Sequence, residues 1–298
     1  MHATGLNRAR IAFYGAGAMA EAIVRGLIEG GVASPGRITV MNRHNADRLE
    51  ELRSRYGVAA AFDPAARESA LSQADIIVLA MKPKDAAAAL KALRPLLKDD
   101  QLIVSVIAGL SIATMQRLLG RPQPIARTMP NTSSTIGLGA AGISFSASVP
   151  PAGREQTLAI FGAIGLTAVV DESQLDAVTA VSGSGPAYLY YMMEAMIEAG
   201  VSLGLPPDIA RELTVQTVRG AAEMVRRTGE DPAGLRRKVT SPNGTTQAAL
   251  EVLERLRFRE AVGSAMSRCA ERSGELGRAI AEEAERQGGE ERGGGLSE

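Results

Sequence analysis

Two glycine-containing turns, far apart in the chain, carry residue types that bind small anions. The glycine turn is Gly15-Ala16-Gly17-Ala18-Met19-Ala20, and the 241–246 loop is Ser241-Pro242-Asn243-Gly244-Thr245-Thr246. Each leads directly into a helical pattern, and the start of a helix offers unpaired N–H groups at the positive end of its dipole. The loop adds two hydroxyls, so it suits a carboxylate, although an ordinary helix cap has the same composition.

The glycine turn follows an apolar strand pattern and opens a helix, which is the context that the G-x-G-x-x-G/A dinucleotide fingerprint requires. Gly15 permits the tight turn, Gly17 lets the backbone approach a pyrophosphate, and Ala20 takes the place of the third glycine. A glycine turn with only a structural role is the alternative. We predict that a dinucleotide contacts Gly15, Ala16, Gly17, Ala18 and Met19.

The ends of three further strand patterns extend the predicted cofactor site. The second strand ends at Asn42 and Arg43, where an NAD enzyme usually carries an acid. An amide and a cation suit the 2′-phosphate of NADP(H), so NADP(H) is preferred over NAD(H); a merely solvated Arg43 is the alternative. Because ligands bind at the carboxyl ends of strands in open α/β sheets, we also expect contacts from two later strand ends, Ala80-Met81-Lys82-Pro83 and Ala108.

A nicotinamide cofactor implies hydride transfer, and hydride transfer to a C=O or C=N bond also needs a proton. The two histidines, His2 near the N-terminus and His44 in a polar turn, have no partner at metal-ligand spacing, and a catalytic triad built on His44 has little support. A pre-protonated iminium needs only a hydroxyl near its nitrogen, and Thr246 is such a hydroxyl. The residues therefore favour a cyclic imine over a ketone, and they predict no metal site.

The elements that position these residues divide the chain into two predicted domains. Residues 1–171 alternate apolar strands with helices, which indicates an α/β Rossmann-type domain with a parallel sheet covered on both faces. Residues 172–298 show helical periodicity and predict an all-α domain with a disordered tail at 288–298. The predicted strands are 10–14, 38–41, 59–62, 75–81 and 102–107, with edge strands at 143–145 and 167–170; the helices are 18–29, 65–72, 85–97, 111–119, 188–199, 208–227, 232–238 and 245–286.

The composition limits the partners of the protein. The 33 basic residues balance the 33 acidic ones and aromatic residues make up 3 %, so a nucleic-acid partner is not expected. The longest apolar stretch, 187–201, contains two glutamates and is too short to span a membrane. With one cysteine and no signal-peptide pattern, we expect a cytoplasmic protein.

Helix 188–199 is apolar almost all round, with Met192, Met193 and Met196 on different sides. Such a helix must be buried against other apolar surface. We predict burial against a second copy of the chain, in a homodimer or larger assembly. Burial within the monomer is the alternative.

Several segments, in this order, resemble the pyrroline-5-carboxylate reductase family from residue 11 to about residue 269. They are the glycine turn, the segments 80–83, 127–132, 182–188 and 204–206, and the 241–246 loop. The resemblance implies a Rossmann domain followed by an all-helical dimerisation domain. It also implies NAD(P)H-dependent reduction of 1-pyrroline-5-carboxylate to L-proline, the last step of proline biosynthesis. In this family the helical domains interlock, and dimers often form decamers.

The resemblance further implies roles for individual residues. The backbone amides of the 241–246 loop, including Gly244, Thr245 and Thr246, bind the substrate carboxylate beside the partner subunit's cofactor. The Thr246 hydroxyl is placed to bond the ring nitrogen. Ser184 is a polar contact for the nicotinamide or the substrate; a simple helix start, with Pro186 in its first turn, is the alternative.

Some residues depart from the family pattern. Asn243 replaces a glycine of the loop, and Arg237 stands where the family often has aspartate. Asn tolerates a left-handed backbone better than most residues, so the loop can keep its shape. Two other functions remain in competition: a related imine or keto-acid reductase, and a non-catalytic regulator that binds NADP(H).

Overall fold

The computed structural model describes residues 5–293 of the chain, which divide into two compact units. The first unit contains the residues up to Ser184 together with those from Cys269 onward, and the second contains Gly185–Arg268. The sequence suggested a single boundary, between residues 171 and 172. In the structure the first unit extends to Ser184, and the last helix returns to it.

The first unit is built on an eight-stranded sheet in the order β3-β2-β1-β4-β5-β6-β7-β8. All neighbouring strands are parallel except β6 and β7. The strands are β1 Ile11–Tyr14, β2 Ile38–Met41, β3 Ala59–Ala61, β4 Ile76–Leu79, β5 Leu102–Ser105, β6 Ile125–Met129, β7 Gly139–Phe145 and β8 Gly165–Val169. The helices are α1 Ala18–Glu29, α2 Ala46–Tyr56, α3 Pro64–Gln73, α4 Ala86–Leu93, α5 Ile112–Leu119, α6 Pro151–Gly162 and α7 Leu175–Val178, followed by the π turn Thr179–Gly183.

Alternate residues of the central strands enter two separate apolar cores. Val78 of β4 packs in the same core as Leu27 of α1 and Phe161 of α6. Its neighbour Ile77 packs in the core that contains Leu90 of α4. Because successive side chains of a strand point to opposite faces, the two cores lie on the two faces of the sheet. This confirms the predicted parallel sheet covered on both sides.

The observed strands differ from the predicted ones at β6, β7 and β8. Strand β6 was not predicted, because Arg127 and Thr128 interrupt its apolar run. Strand β7 was expected at a sheet edge but lies between β6 and β8; β8 is the edge strand. Gly142 lets α7 pack closely on β7, since a Cβ there would lie 2.7 Å from Cγ1 of Val178 in α7.

The helices also differ from prediction in places. Helix α6 has only a weak apolar stripe and was not predicted. The predicted helix 85–97 is shortened to α4 and followed by a 3₁₀ turn, because Pro95 cannot donate a helical hydrogen bond. The predicted helix 245–286 is broken at Arg257, which has a left-handed backbone with φ 56°. Of the expected disordered tail, the part up to Gly293 continues a helix, and 294–298 lie outside the described residues.

The second unit contains only helices: α8 Gly185–Ser202, α9 Pro207–Thr228, α10 Pro232–Lys238, α11 Thr245–Arg255 and the start of α12 Phe258–Gly293. Helices α8 and α9 approach closely at Gly200, where a Cβ would lie 3.2 Å from that of Ala210. No residue of α8 is buried in a single protomer, and Tyr191 is 76 % exposed. An exposed apolar helix of this kind needs a further partner. Among the described helices, none combines the length and apolar character needed to cross a membrane.

Candidate active site

A crevice of about 480 Å³ opens in the first unit at the carboxyl ends of β1, β2 and β4. This is the place where the strand order reverses, with β2 on one side of β1 and β4 on the other, and where open α/β sheets bind their ligands. The predicted cofactor residues that line it are Gly15, Ala16, Gly17, Asn42, Arg43, Ala80, Met81 and Lys82.

The residues that line the crevice differ in part from the predicted cofactor contacts. The predicted contacts that do not line this crevice are Ala18, Met19, Pro83 and Ala108. Six lining residues were not assigned to the site from sequence: Tyr14, Met41, His44, Lys84, Asp85 and Ala89. All but Ala89, which lies on α4, are at or close to a predicted strand end, and this is the signal that would have found them. His2 lies outside the described residues.

The glycine turn has the shape that a dinucleotide requires. Gly15 has φ +117°, and a Cβ there would lie 2.3 Å from the carbonyl oxygen of Ala80, so no other residue fits. A Cβ on Gly17, by contrast, would have no heavy atom within 4 Å. Gly17 is the N-cap of α1, and no side chain caps this helix. The turn therefore leaves open space in front of free helix N–H groups, which fits a pyrophosphate.

Hydrogen bonds and an ion pair from α2 stabilise the glycine turn. Arg48 donates from Nε to the carbonyl oxygen of Ala16, at 3.2 Å, and also pairs with Glu21 of α1. Tyr56 donates to Glu21 at 2.9 Å. Burial raises the pKa of Glu21, but the hydrogen bonds from Arg48 and Tyr56 outweigh this effect and leave the pKa below its ordinary value of 4.5. Sequence reasoning missed this network, since Arg48 and Ala16 are far apart in the chain.

Arg43 provides a cation at the end of β2. Its guanidinium donates to the Tyr14 hydroxyl at 3.0 Å and lies 5.9 Å from the centre of that ring. The Asn42 side chain accepts a hydrogen bond from the backbone N–H of His44, which shapes the turn after the strand. Asp47 lies in the first turn of α2, so it does not replace the acid that an NAD enzyme carries at the strand end. Arg43 remains exposed and can meet a phosphate.

Ser184 lies just after the π turn, at the start of α8. Its backbone N–H donates to the carbonyl oxygen of Thr179 at 2.8 Å. Its hydroxyl accepts a hydrogen bond from the thiol of Cys269, with 3.3 Å between Sγ and Oγ. The hydroxyl therefore keeps its own proton for another acceptor. Cys269, the single cysteine of the chain, is half-buried on α12.

The 241–246 loop belongs to the second unit and begins α11. Asn243 adopts the left-handed backbone that its replacement of glycine requires, with φ 57°, and its N–H donates to the Gln247 side chain at 2.9 Å. Gly244 is the N-cap of α11, so Thr245 and Thr246 are the first helical residues and their N–H groups have no partner within the helix. The loop therefore presents free N–H groups and two hydroxyls at a helix N-terminus, which suits a carboxylate.

Three cations follow one another at the end of α10, just before this loop. Lys238 is paired with Glu230, at 2.6 Å. Arg236 and Arg237 line a shallow cavity beside Thr240 and Gln247, with Glu251 and Glu254 on the other helix. The family departure at Arg237 thus adds a positive charge close to the 241–246 loop.

Two family models match the chain. Residues 172–276 match the family described as pyrroline-5-carboxylate reductase dimerisation, which includes α8 to α11. Residues 10–109 match the family described as NADP oxidoreductase coenzyme F420-dependent, which includes the glycine turn and strands β1 to β5.

Individual relatives extend over most of the chain. Pyrroline-5-carboxylate reductase 2 of Bacillus subtilis is 42 % identical over 267 residues, which cover 90 % of this chain and 95 % of the relative. The solved pyrroline-5-carboxylate reductase from Coxiella burnetii has a TM-score of 0.85 at 38 % identity, covering 91 % of this chain and 99 % of its own. A pyrroline carboxylate reductase from Plasmodium falciparum, solved with NADP bound, has a TM-score of 0.81 at 27 % identity, covering 92 % and 100 %. From this sequence identity, shared fold and site geometry together, the chain belongs to the pyrroline-5-carboxylate reductase family.

Proposed function

We propose that the chain reduces 1-pyrroline-5-carboxylate to L-proline with NADPH, and that its crevice and its 241–246 loop bind the two reactants. The observation that carries this proposal is the pairing, within one family member, of a dinucleotide turn with a carboxylate-binding loop. Both binding features rest on free helix N–H groups, at Gly17 and at Thr245 and Thr246.

The crevice residues define the orientation in which we propose that the cofactor binds. The open space at Gly17 accommodates the pyrophosphate, and the exposed Arg43 at the end of β2 takes the 2′-phosphate. The segment 80–83 and Ala108, at the ends of β4 and β5, are proposed to approach the nicotinamide half. When bound, the cofactor supplies the hydride for the C=N bond.

The 241–246 loop is proposed to hold the substrate. The N–H groups of Thr245 and Thr246 bind its carboxylate, and the Thr246 hydroxyl binds the ring nitrogen. A protonated iminium already carries the proton that a ketone would need from an acid. His44, which lines the crevice, follows Arg43 at the end of β2, on the side proposed for the 2′-phosphate. This arrangement favours imine reduction over reduction of a keto acid.

A cofactor-oxidation assay separates the candidate functions. Purified protein is mixed with NADPH and 1-pyrroline-5-carboxylate, and the absorbance of the reduced cofactor is followed; 2-keto acids serve as competing substrates. We expect turnover with the imine only. Turnover with keto acids would indicate the related reductase, and NADPH binding without turnover would indicate a regulator.

The dimerisation domain makes the chain a homo-oligomer. We propose that the 241–246 loop of one protomer serves the crevice of its partner, and that dimers assemble into a decamer. Mixed dimers test the shared site: Gly17→Val blocks the crevice and Thr246→Ala damages the loop. Refolding the two impaired variants together restores one intact site per mixed dimer if the site is shared, and none if each protomer is self-sufficient. Sedimentation velocity gives the size of the assembly.

A further inference from the structure

Asn131 joins three segments of the first unit that are distant in sequence. It directly follows Pro130 after β6, and it is 9 % exposed. Its Nδ2 donates to the carbonyl oxygen of Ser182 at 3.0 Å, and its Oδ1 accepts from the N–H of Ala140 at 3.2 Å. The two partners fix the orientation of the carboxamide, because one needs a donor and the other an acceptor. Asn131 therefore connects the end of β6 and the start of β7 to the π turn.

The π turn is the segment that Asn131 holds. A π turn widens the helix by one residue, and such turns occur frequently at functional sites. The carbonyl of Ser182, within this turn, is bound by the Asn131 side chain. The next residue, Gly183, packs directly on the strand, since a Cβ there would lie 2.6 Å from Cε of Met129. The π turn is therefore fixed against the carboxyl end of β6.

This position corresponds to the reacting half of the proposed cofactor site. Strands β1, β4, β5 and β6 are parallel, so the end of β6 lies at the same sheet edge as the crevice. Along that edge, Arg43 marks the β2 side and the π turn lies on the opposite side, beyond β4 and β5. A dinucleotide bound across the edge with its 2′-phosphate at Arg43 directs its nicotinamide toward the π turn.

We propose that Asn131 is a positioning residue of the reductase, which holds the π turn so that the Ser184 hydroxyl donates a hydrogen bond to an oxygen at the reacting end. The acceptor is a carbonyl or carboxylate oxygen, from either the nicotinamide carboxamide or the substrate. Cys269 assists by donating to the Ser184 oxygen, which leaves the serine proton for the ligand. The inference rests on the proposed function and adds to it a residue that does not line the crevice.

The test compares Asn131→Asp with a matched control, Gln101→Glu. Gln101 is also a buried carboxamide, 2 % exposed, which donates to the carbonyls of Leu71 and Ala74 and accepts from the N–H of Lys98. It precedes β5 and so lies at the opposite edge of the sheet. Both variants remove a donor in nearly the same volume, and both should lower Tm. We expect only Asn131→Asp to lower kcat, by up to about 100-fold, because small displacements at a reacting centre are costly.

A double variant shows whether Asn131 acts through Ser184. If it does, Asn131→Asp has little further effect on kcat in a Ser184→Ala background. The KM for the imine and the Kd for NADPH in Ser184→Ala distinguish the two acceptors: a raised KM alone assigns the substrate, and a raised Kd alone assigns the cofactor. If Asn131→Asp does not fold, Asn131→Ser, which keeps a shorter donor, replaces it in each comparison.

Three results would overturn the inference: an unchanged kcat in the Asn131 variant, an equal loss of kcat in the Gln101 control, or fully additive effects with Ser184→Ala. Each of these leaves the proposed function intact, because the wild-type protein would still reduce the imine. Failure of the proposed function would be recognised differently, by the absence of imine-dependent NADPH oxidation in the wild type.

Discussion

Charge reversal at Arg43 gives the sharpest test of cofactor choice. The guanidinium lies exposed at the end of β2, anchored only by the Tyr14 hydroxyl and ring, and none of the described carboxylates forms an ion pair with it. We expect Arg43→Glu to weaken NADPH binding strongly and NADH binding little. NADH has the same pyrophosphate and nicotinamide, but it carries no 2′-phosphate for Arg43 to bind.

The size of the effect follows from two contributions. A hydrogen bond to a charged group contributes about 1.5–3 kcal/mol, and this is lost. The new carboxylate then repels the phosphate by about 1 kcal/mol at 4 Å in a water-like dielectric, the appropriate limit for an exposed site. Together they give roughly 2.5–4 kcal/mol, or about a 70- to 900-fold increase in the Kd of NADPH. The Kd of NADH should change within about fivefold, as for other exposed charges.

Fluorescence titration of each reduced cofactor measures these constants directly. Arg37→Glu is the matched control, because Arg37 is exposed and immediately precedes the other end of the same strand. It makes the same change in net charge away from the crevice. Equal losses for NADPH and NADH in Arg43→Glu, or an equal loss of NADPH affinity in the control, would show that Arg43 does not bind the 2′-phosphate.

Three further predictions concern the loop, the turn and its support. Thr246→Ala should lower kcat/KM for the imine by about 10-fold or more, while the Kd of NADPH stays unchanged. Thr246→Ser keeps the hydroxyl and should retain most of the activity. Unchanged turnover in Thr246→Ala would show that this hydroxyl takes no part in the mechanism. Gly17→Val should abolish NADPH binding with little change in Tm, since the added side chain enters space that is empty of protein atoms. The control Gly36→Val also places its side chain in open space and should bind NADPH normally. Cofactor titration and thermal melts of both variants test this. Because the pKa of folded Glu21 lies below 4.5, its ionisation stabilises the fold above that pH, and the stabilisation is lost as the pH falls below it. The Tm difference between wild type and Glu21→Gln should therefore shrink between about pH 5 and pH 3, and a constant difference would contradict the ion network.

Local residue patterns were sufficient for much of the fold and part of the site. The four apolar residues of β4 predict a strand buried on both faces, and Gly15 with Gly17 predict a turn that opens a helix. These features depend on neighbouring residues only, so their spacing in the sequence is enough. The left-handed backbone of Asn243 was expected for the same reason, since the conformational preference belongs to the residue itself.

Contacts between distant segments could not be predicted in the same way. The strand β6 has a mixed polar pattern, and it is a strand because it lies between β5 and β7. The sequence around Arg257 does not predict the break between α11 and α12, because the adjoining residues include neither glycine nor proline. Here the surrounding structure outweighs local preference.

The sequence by itself therefore determined the family, most of the strands and helices along the chain, and the two glycine-containing turns that open helices, because all of these depend on residues close together in the chain. Only the tertiary structure decided that Arg48 supports the carbonyl of Ala16, that Asn131 holds the carbonyl of Ser182, and that Cys269 donates to Ser184. These hydrogen bonds join residues 32, 51 and 85 positions apart. Their partners meet only when the sheet sets the order of its strands and packing brings α2, the π turn and α12 against it.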